Sequence, residues 1–444
     1  MKRRKFVQTS CGFMAWTIAP GKWSVENLTF SKRNYDCVAI SSENIQSDIP
    51  VQRITPDDGH YNFTYYDIPA HSPSNRYLAV TKVPFLEDRL PRYGEVAEVC
   101  VIDLQEQTIS TVYKTISWGF QTGALLHWGD SDRYLYTNDS FKGEDAVCVQ
   151  IDLETGKTTA FAGPMYNIAP NGQFVVGFPL ELLNITQQGY GIPSKDPLNP
   201  RKLPVGAAKD QGVWKTDLLS NHKELLVSLA DMAAKIPVEP PEENGTYYCW
   251  HTKVNPQSTR ILQVFRCVFP SGFGGRNPMV FTYNTIGEDI HLASGDHIWG
   301  QAGGHPNWHP DGINIIRVLK PEGPHSPYRF CQHRYDGKNF HVLSDSIIGG
   351  GHPRITPDSR YISTDAFPVE NDEQMLKLRL IDLQTNTDHS LLAMNTSPRQ
   401  GLKNSTLRLD GHPTWDRFYK KLVFQAAPEG KRQVYVADLS SVIN

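Results

Sequence analysis

The chain has 444 residues and a formal net charge of −3, with charged residues at 20%. That balance gives no basic footprint for nucleic acid, and no run of about 18 apolar residues offers a spanning helix. Nineteen tyrosines, 19 phenylalanines, 34 glycines and 31 prolines fit an all-β protein of many short strands joined by turns.

The first element in chain order is a leader. Lys2-Arg3-Arg4-Lys5-Phe6 is a basic n-region, followed by a short, weakly apolar run to Pro20. Residues 1–30 are therefore expected to be an export signal and leader. Arg3-Arg4-Lys5-Phe6 resembles the twin-arginine pattern, with an ordinary secretory signal as the alternative. Either implies an exported, periplasmic protein. Residues 31–60 are taken as an N-terminal segment, and 61–444 as the folded domain. Export permits disulfides. The seven cysteines show no metal spacing, and a Cys249–Cys267 pair stays open.

From residue 61 onward a unit repeats. Each unit opens with a turn signal and an apolar strand: Ser72-Pro73 before Arg76-Tyr77-Leu78-Ala79, then Gly129-Asp130, Ala169-Pro170-Asn171-Gly172 and Asn255-Pro256. His309-Pro310-Asp311-Gly312, Thr356-Pro357-Asp358 and Trp415-Asp416 follow. Later in the unit comes a strand ending in Asp-Leu, as in Val101-Ile102-Asp103-Leu104 and Leu380-Ile381-Asp382-Leu383. Seven such units, roughly 40 to 60 residues apart, predict an all-β, seven-bladed β-propeller. Two stacked sandwiches are the alternative, but sandwiches do not repeat one motif at a fixed period. The third unit carries an insertion at about 181–246, rich in proline and glycine, expected to be a loop over one face, with a disordered insertion as the alternative.

Three units share a Gly-His-Pro triplet: Gly304-His305-Pro306, Gly351-His352-Pro353 and Gly411-His412-Pro413. A propeller's inner strands converge on a central channel. The three imidazoles are therefore expected to meet at its mouth and to hold a divalent metal ion. His251 precedes the turn of the fourth unit, so it should reach the same cavity. A lone histidine before a turn is ordinarily a hydrogen-bonded loop residue; the repetition favours a site. His71 and His127 occupy comparable registers, while His291, His297 and His309 have no echo and are taken as structural.

These motifs resemble the oligogalacturonate lyase family: His251 with Pro256, Gly304-His305-Pro306 with Trp308 and Pro310-Asp311-Gly312, and Gly351-His352-Pro353 with Pro357-Asp358. The resemblance implies a seven-bladed propeller that cleaves pectin fragments by β-elimination, with manganese held mainly by histidines. It assigns the base to His251 and metal ligation to His305 and His352. The chain departs from the family pattern in three places. Gly349-Gly350-Gly351 and a single His352 stand where the family has a glutamine and two histidines. No arginine lies between Arg201 and Arg260, upstream of His251. Pro306 follows His305 where the family has an acidic residue. His412 is the expected replacement for a missing ligand.

β-Elimination removes the proton α to a uronate carboxylate, so a cation on that carboxylate and a neutral imidazole base suit the chemistry. Arg354 and Arg408, with Arg266, are candidates to bind the carboxylate. Tyr190, Trp308 and Gln121 are candidate contacts for an acidic oligosaccharide. The competing reading is a non-catalytic TolB-like propeller that binds a carbohydrate or protein partner. A hydrolase would need paired carboxylates, for which Asp130, Asp365 and Asp410 are the candidates.

Overall fold

Turn chemistry sets the blades. In the fifth, Gly303–Trp308 pairs antiparallel with Asn314–Leu319 across the His309–Gly312 turn. There Gly312 takes φ 68°, its amide donates to His309 O at 2.8 Å, and the Asp311 carboxylate accepts the amides of Ile313 and Asn314. Positive φ is open to glycine without a Cβ penalty. The Asp-Leu strand endings do a matching job. Asp103, Asp152 and Asp382 each accept two amides of the turn that follows, and each pairs with an arginine at the start of the neighbouring strand: Arg76, Arg133 and Arg360.

The computed structural model describes residues 23–27, 30, 32–40, 45–85, 89–141, 145–196, 202–240, 242–271, 279–293, 303–366, 375–395, 407–428 and 430–443. The twin-arginine segment lies outside them. The strands form seven antiparallel sheets of four or five strands, one per repeat, and the protein is a seven-bladed β-propeller. The inner strands in order are His60–Asn62, His127–Trp128, Asn167–Ile168, Thr246–Val254, Gly303–Trp308, Arg354–Ile355 and Thr414–Trp415. Their alternation sends one face toward the channel and the other into cores between blades. The largest of those cores includes Trp250, Phe265, Phe281 and Trp308.

Three boundaries differ from the sequence reading. The leader is expected to run to residue 30, yet Trp23–Asn27 pairs with Lys157–Ala160 as the outermost strand of blade two. Residues 31–60 are not separate from the propeller: Val51–Arg53 pairs with Gln433–Asp438 in blade seven, and Ile45–Ser47 joins blade six. The ring thus closes with strands from both ends of the chain. The insertion is also shorter than expected, because Gly212–Asp217 and Lys223–Ser228 are the outer strands of blade three. Their polar, half-exposed residues hid the alternation. What remains as insertion runs from the short helices at Leu180–Thr186 to about residue 211.

Cys249 and Cys267 are unpaired thiols. Their strands are adjacent, but Cys249 faces Phe265 and Cys267 faces Tyr247 across the ladder, two residues out of step. No helix among the described residues is long and apolar enough to cross a membrane.

Candidate active site

The inner strands of blades four and five are both bulged where their histidines fall. Register shifts between Trp250 and Thr252, and between Gly304 and Asn307, bracketing His251 and His305. A bulge inserts a residue and re-aims a side chain. His251 and His305 accordingly sit at φ 53° and 55°, and His412, just before the inner strand of blade seven, takes φ 49°. Blade six solves the same problem differently. Gly351 takes φ 64°, where a Cβ would run into the Asp365 carbonyl, and His352 follows it. Left-handed backbone at a non-glycine residue costs of order 1 kcal/mol and concentrates at functional sites.

The result is a cluster of four imidazoles around two tyrosines. The ring of His352 lies 4.2 Å from that of His305 and 4.5 Å from that of His412. Tyr65 stacks on His251 at 5.0 Å and meets His412 edge-on at 4.4 Å, while Tyr66 lies 5.0 Å from His352. The three Gly-His-Pro histidines are therefore brought together, as the repeat predicts.

Hydrogen bonds set which nitrogen faces inward. Asp365 accepts from His352 Nδ1 at 2.8 Å, so the proton sits on Nδ1 and Nε2 keeps its lone pair. The same carboxylate accepts the backbone amides of His352 and His412, clamping blades six and seven together. Burial opposes charge on Asp365, yet His352 and these amides outweigh it and hold the carboxyl below its usual range. His412 is arranged otherwise. Arg432 Nε donates to Gln425 Oε1 at 3.1 Å, which turns the Gln425 amide nitrogen toward His412 Nδ1, also at 3.1 Å. Ligation through His412 Nε2 requires that amide to turn over.

His352 Nε2, His412 Nε2 and Asp410 Oδ2 are buried and have no hydrogen-bond partner. Together these residues offer ligand atoms within 4.8 Å of one another. With the Gln425 amide turned over, these N, N and O atoms fit a borderline divalent ion such as manganese or zinc. Asp410 is a member that sequence reading placed only among hydrolase carboxylates. Its Oδ1 accepts from Arg408 Nε at 2.7 Å, leaving Oδ2 for the cluster.

His251 lies to one side. Its Nδ1 is 2.5 Å from the Tyr166 hydroxyl, and its Nε2 is buried without a partner. Burial first, then Lys253, Arg266 and the other imidazoles, hold it well below its ordinary value, so it is neutral near pH 7. Tyr190 reaches the same place from the insertion, edge-on to Tyr65 at 5.9 Å and to His251 at 6.3 Å. Arg266 stacks 4.2 Å over Trp250 and donates to Gln187 of the insertion. Gln121 Nε2 donates to the backbone carbonyl of Arg408 at 2.8 Å, tying Gln121 to the Arg408 segment.

Two candidates lie elsewhere. Arg354 is two residues past His352, about 6.6 Å further along the channel. Its Nη1 donates to Thr414 Oγ1 at 2.8 Å, and it lines a cavity at the turn end of the propeller, away from the imidazoles. Trp308 is core: it is 8% exposed and its Nε1 donates to Lys253 O at 2.9 Å.

No family model matches the chain, and no curated protein matches it. Solved structures do. An oligogalacturonate lyase in complex with manganese superposes with a TM-score of 0.65 at 15% identity, covering 92% of this chain and 97% of its own. An oligogalacturonate lyase from Vibrio parahaemolyticus gives 0.62 at 14% identity, covering 93% and 97%. Over nearly its whole length, then, the chain has the architecture of the oligogalacturonate lyases, at low sequence identity.

Proposed function

We propose that the protein is a metal-dependent lyase that cleaves uronate-containing oligosaccharides, pectin-type oligogalacturonate foremost, by β-elimination. The observation that carries this reading is a neutral imidazole with a free, buried Nε2, His251, beside a second set of unpartnered donors suited to a cation. A binding scaffold has no need of either. His305, His352, His412 and Asp410 would hold the ion, manganese by analogy with the neighbour's complex. Bound there, a divalent ion supplies charge to stabilise the enediolate that forms at the uronate carboxylate.

The chain's own residues supply the rest. Arg266 and Arg408 flank Tyr190 and bind the carboxylate by charge-assisted hydrogen bonds. His251 Nε2 takes the proton α to that carboxylate while Tyr166 receives the Nδ1–H and fixes the tautomer. The 4-linked oxygen leaves, and the product carries a double bond that absorbs in the ultraviolet. Tyr190, 8% exposed at the edge of the cluster, lies against the sugar. The basic start of the chain supports export to the periplasm, where such fragments are met.

His251→Ala tests the base. It should retain metal and lose the ultraviolet-absorbing product by about a hundredfold to ten-thousandfold in rate. Full activity in that variant would remove His251 from the mechanism, and loss of metal would make it a ligand.

A further inference from the structure

The channel also holds a cavity away from the imidazole cluster. It lies at the turn end of the propeller, with a volume of about 500 Å³, and is lined by residues from all seven blades, none of them among the four clustered imidazoles. A buried layer separates the two. Lys253 Nζ bonds Asp67 at 2.9 Å, Pro306 O at 2.7 Å and the Tyr66 hydroxyl at 3.2 Å, which satisfies all three of its donors.

The cations on the cavity side of that layer are not satisfied in this way. Arg354 donates to Thr414 Oγ1 and more distantly to Tyr66 O. Arg417 donates from Nε to His71 O at 3.0 Å. Neither forms an ion pair with a carboxylate among the described residues. Burial pushes the Arg417 guanidinium down to about 10, and the charge of Arg354 pushes it the same way. The acidic lining residues are engaged or peripheral. Asp67 pairs with Lys253; Asp416 accepts the Asn75 side chain and the amides of Lys420 and Lys421; Asp130 lies exposed at the rim. His127 also lines the cavity, with Nε2 buried and unpartnered, and Asn307 adds a side-chain amide with no hydrogen bond among the described residues.

We propose that this cavity is a second binding site, for a small anion carrying a carboxylate or phosphate group on a ring-sized body. The anionic group is held by Arg354 and Arg417, and the body packs beside Tyr419. Two like charges facing one cavity are costly without a counter-charge, and a guanidinium presents a planar fork that matches either group. The site does not depend on the lyase reading, because no residue of the imidazole cluster takes part.

Calorimetric titration of galacturonate, inorganic phosphate and uncharged galactose tests this. The comparison is made in His352→Ala, which dismantles the metal cluster and leaves the cavity intact. Arg417→Gln and Arg354→Gln are added to that background, with folding checked by circular dichroism. Galacturonate or phosphate, and not galactose, should bind His352→Ala, and each arginine variant should weaken that binding about tenfold or more. Which anion binds identifies the group the site takes. The proposal is overturned if neither anion binds, if galactose binds as well, or if either folded arginine variant binds like its parent.

Discussion

Replacing Asp365 by Asn probes how the metal cluster is organised. The carboxylate is fully buried and serves three donors: the His352 amide at 2.9 Å, His352 Nδ1 at 2.8 Å and the His412 amide at 3.1 Å. Asparagine keeps the size but offers a single acceptor oxygen. If that oxygen serves His352, the new NH2 faces the His412 amide, donor against donor. If it serves His412, the NH2 faces His352 Nδ1, the proton moves to Nε2, and the lone pair that would meet the ion is gone. Leaving one buried donor unsatisfied costs about 1–3 kcal/mol of stability. Loss of the orienting partner lowers metal affinity about 10- to 100-fold, which is about 1.4–2.8 kcal/mol. Manganese titration calorimetry at neutral pH, alongside thermal unfolding, reads both. A folded Asp365→Asn protein that binds manganese like wild type would refute the role given to Asp365.

Further outcomes follow from the same geometry. Gln425→Glu places an acceptor against both Arg432 Nε and His412 Nδ1, so it should tighten manganese binding; weaker binding would put His412 outside the ion's shell. His305→Gly should be more stable than His305→Ala by roughly 1 kcal/mol, because glycine accepts φ 55° without strain; equal melting temperatures would show that the bulge relaxes. Burial pushes His71, His127 and His333 down to about 4. Near 6.5 the unfolded chain takes protons that the folded one refuses. Stability is therefore full above pH 6.5 and falls as pH drops toward 4. A melting temperature flat across that window would show that these rings are not held neutral.

The blades and the imidazole cluster were both legible because they repeat. Turn signals and Gly-His-Pro recur at fixed places, and a propeller converts equal register into spatial convergence. What did not repeat stayed hidden. Asp365 and Asp410 lie on no shared motif, and Gln425 acts on His412 from another strand of its blade. Tyr65 and Tyr66 follow the first inner strand with no echo in later repeats. Arg354 stands only two residues from His352, but two residues of strand carry its side chain away from the imidazoles and into the cavity at the turn end. Trp308 illustrates the opposite confusion: a tryptophan beside a candidate ligand reads as a sugar platform, whereas its N–H is tied to the neighbouring blade.

Closure of the ring in blade seven makes the site a product of assembly order. Tyr65 follows the first blade's inner strand, His412 begins the last, and the strand that seals them together comes from residues 51–53. A ribosome emitting this chain from its N-terminus has delivered the aromatic half of the site hundreds of residues before the ligands that face it. Until Gln433–Asp438 finds Val51–Arg53, Asp410 and His412 have no fixed position opposite Tyr65. Any event that keeps those two strands apart, whether truncation, a stalled terminus or a captured edge, should leave a largely folded β-structure with no ion-binding centre. If the cluster holds an ion as proposed, metal uptake would be a direct reading of whether the circle has shut.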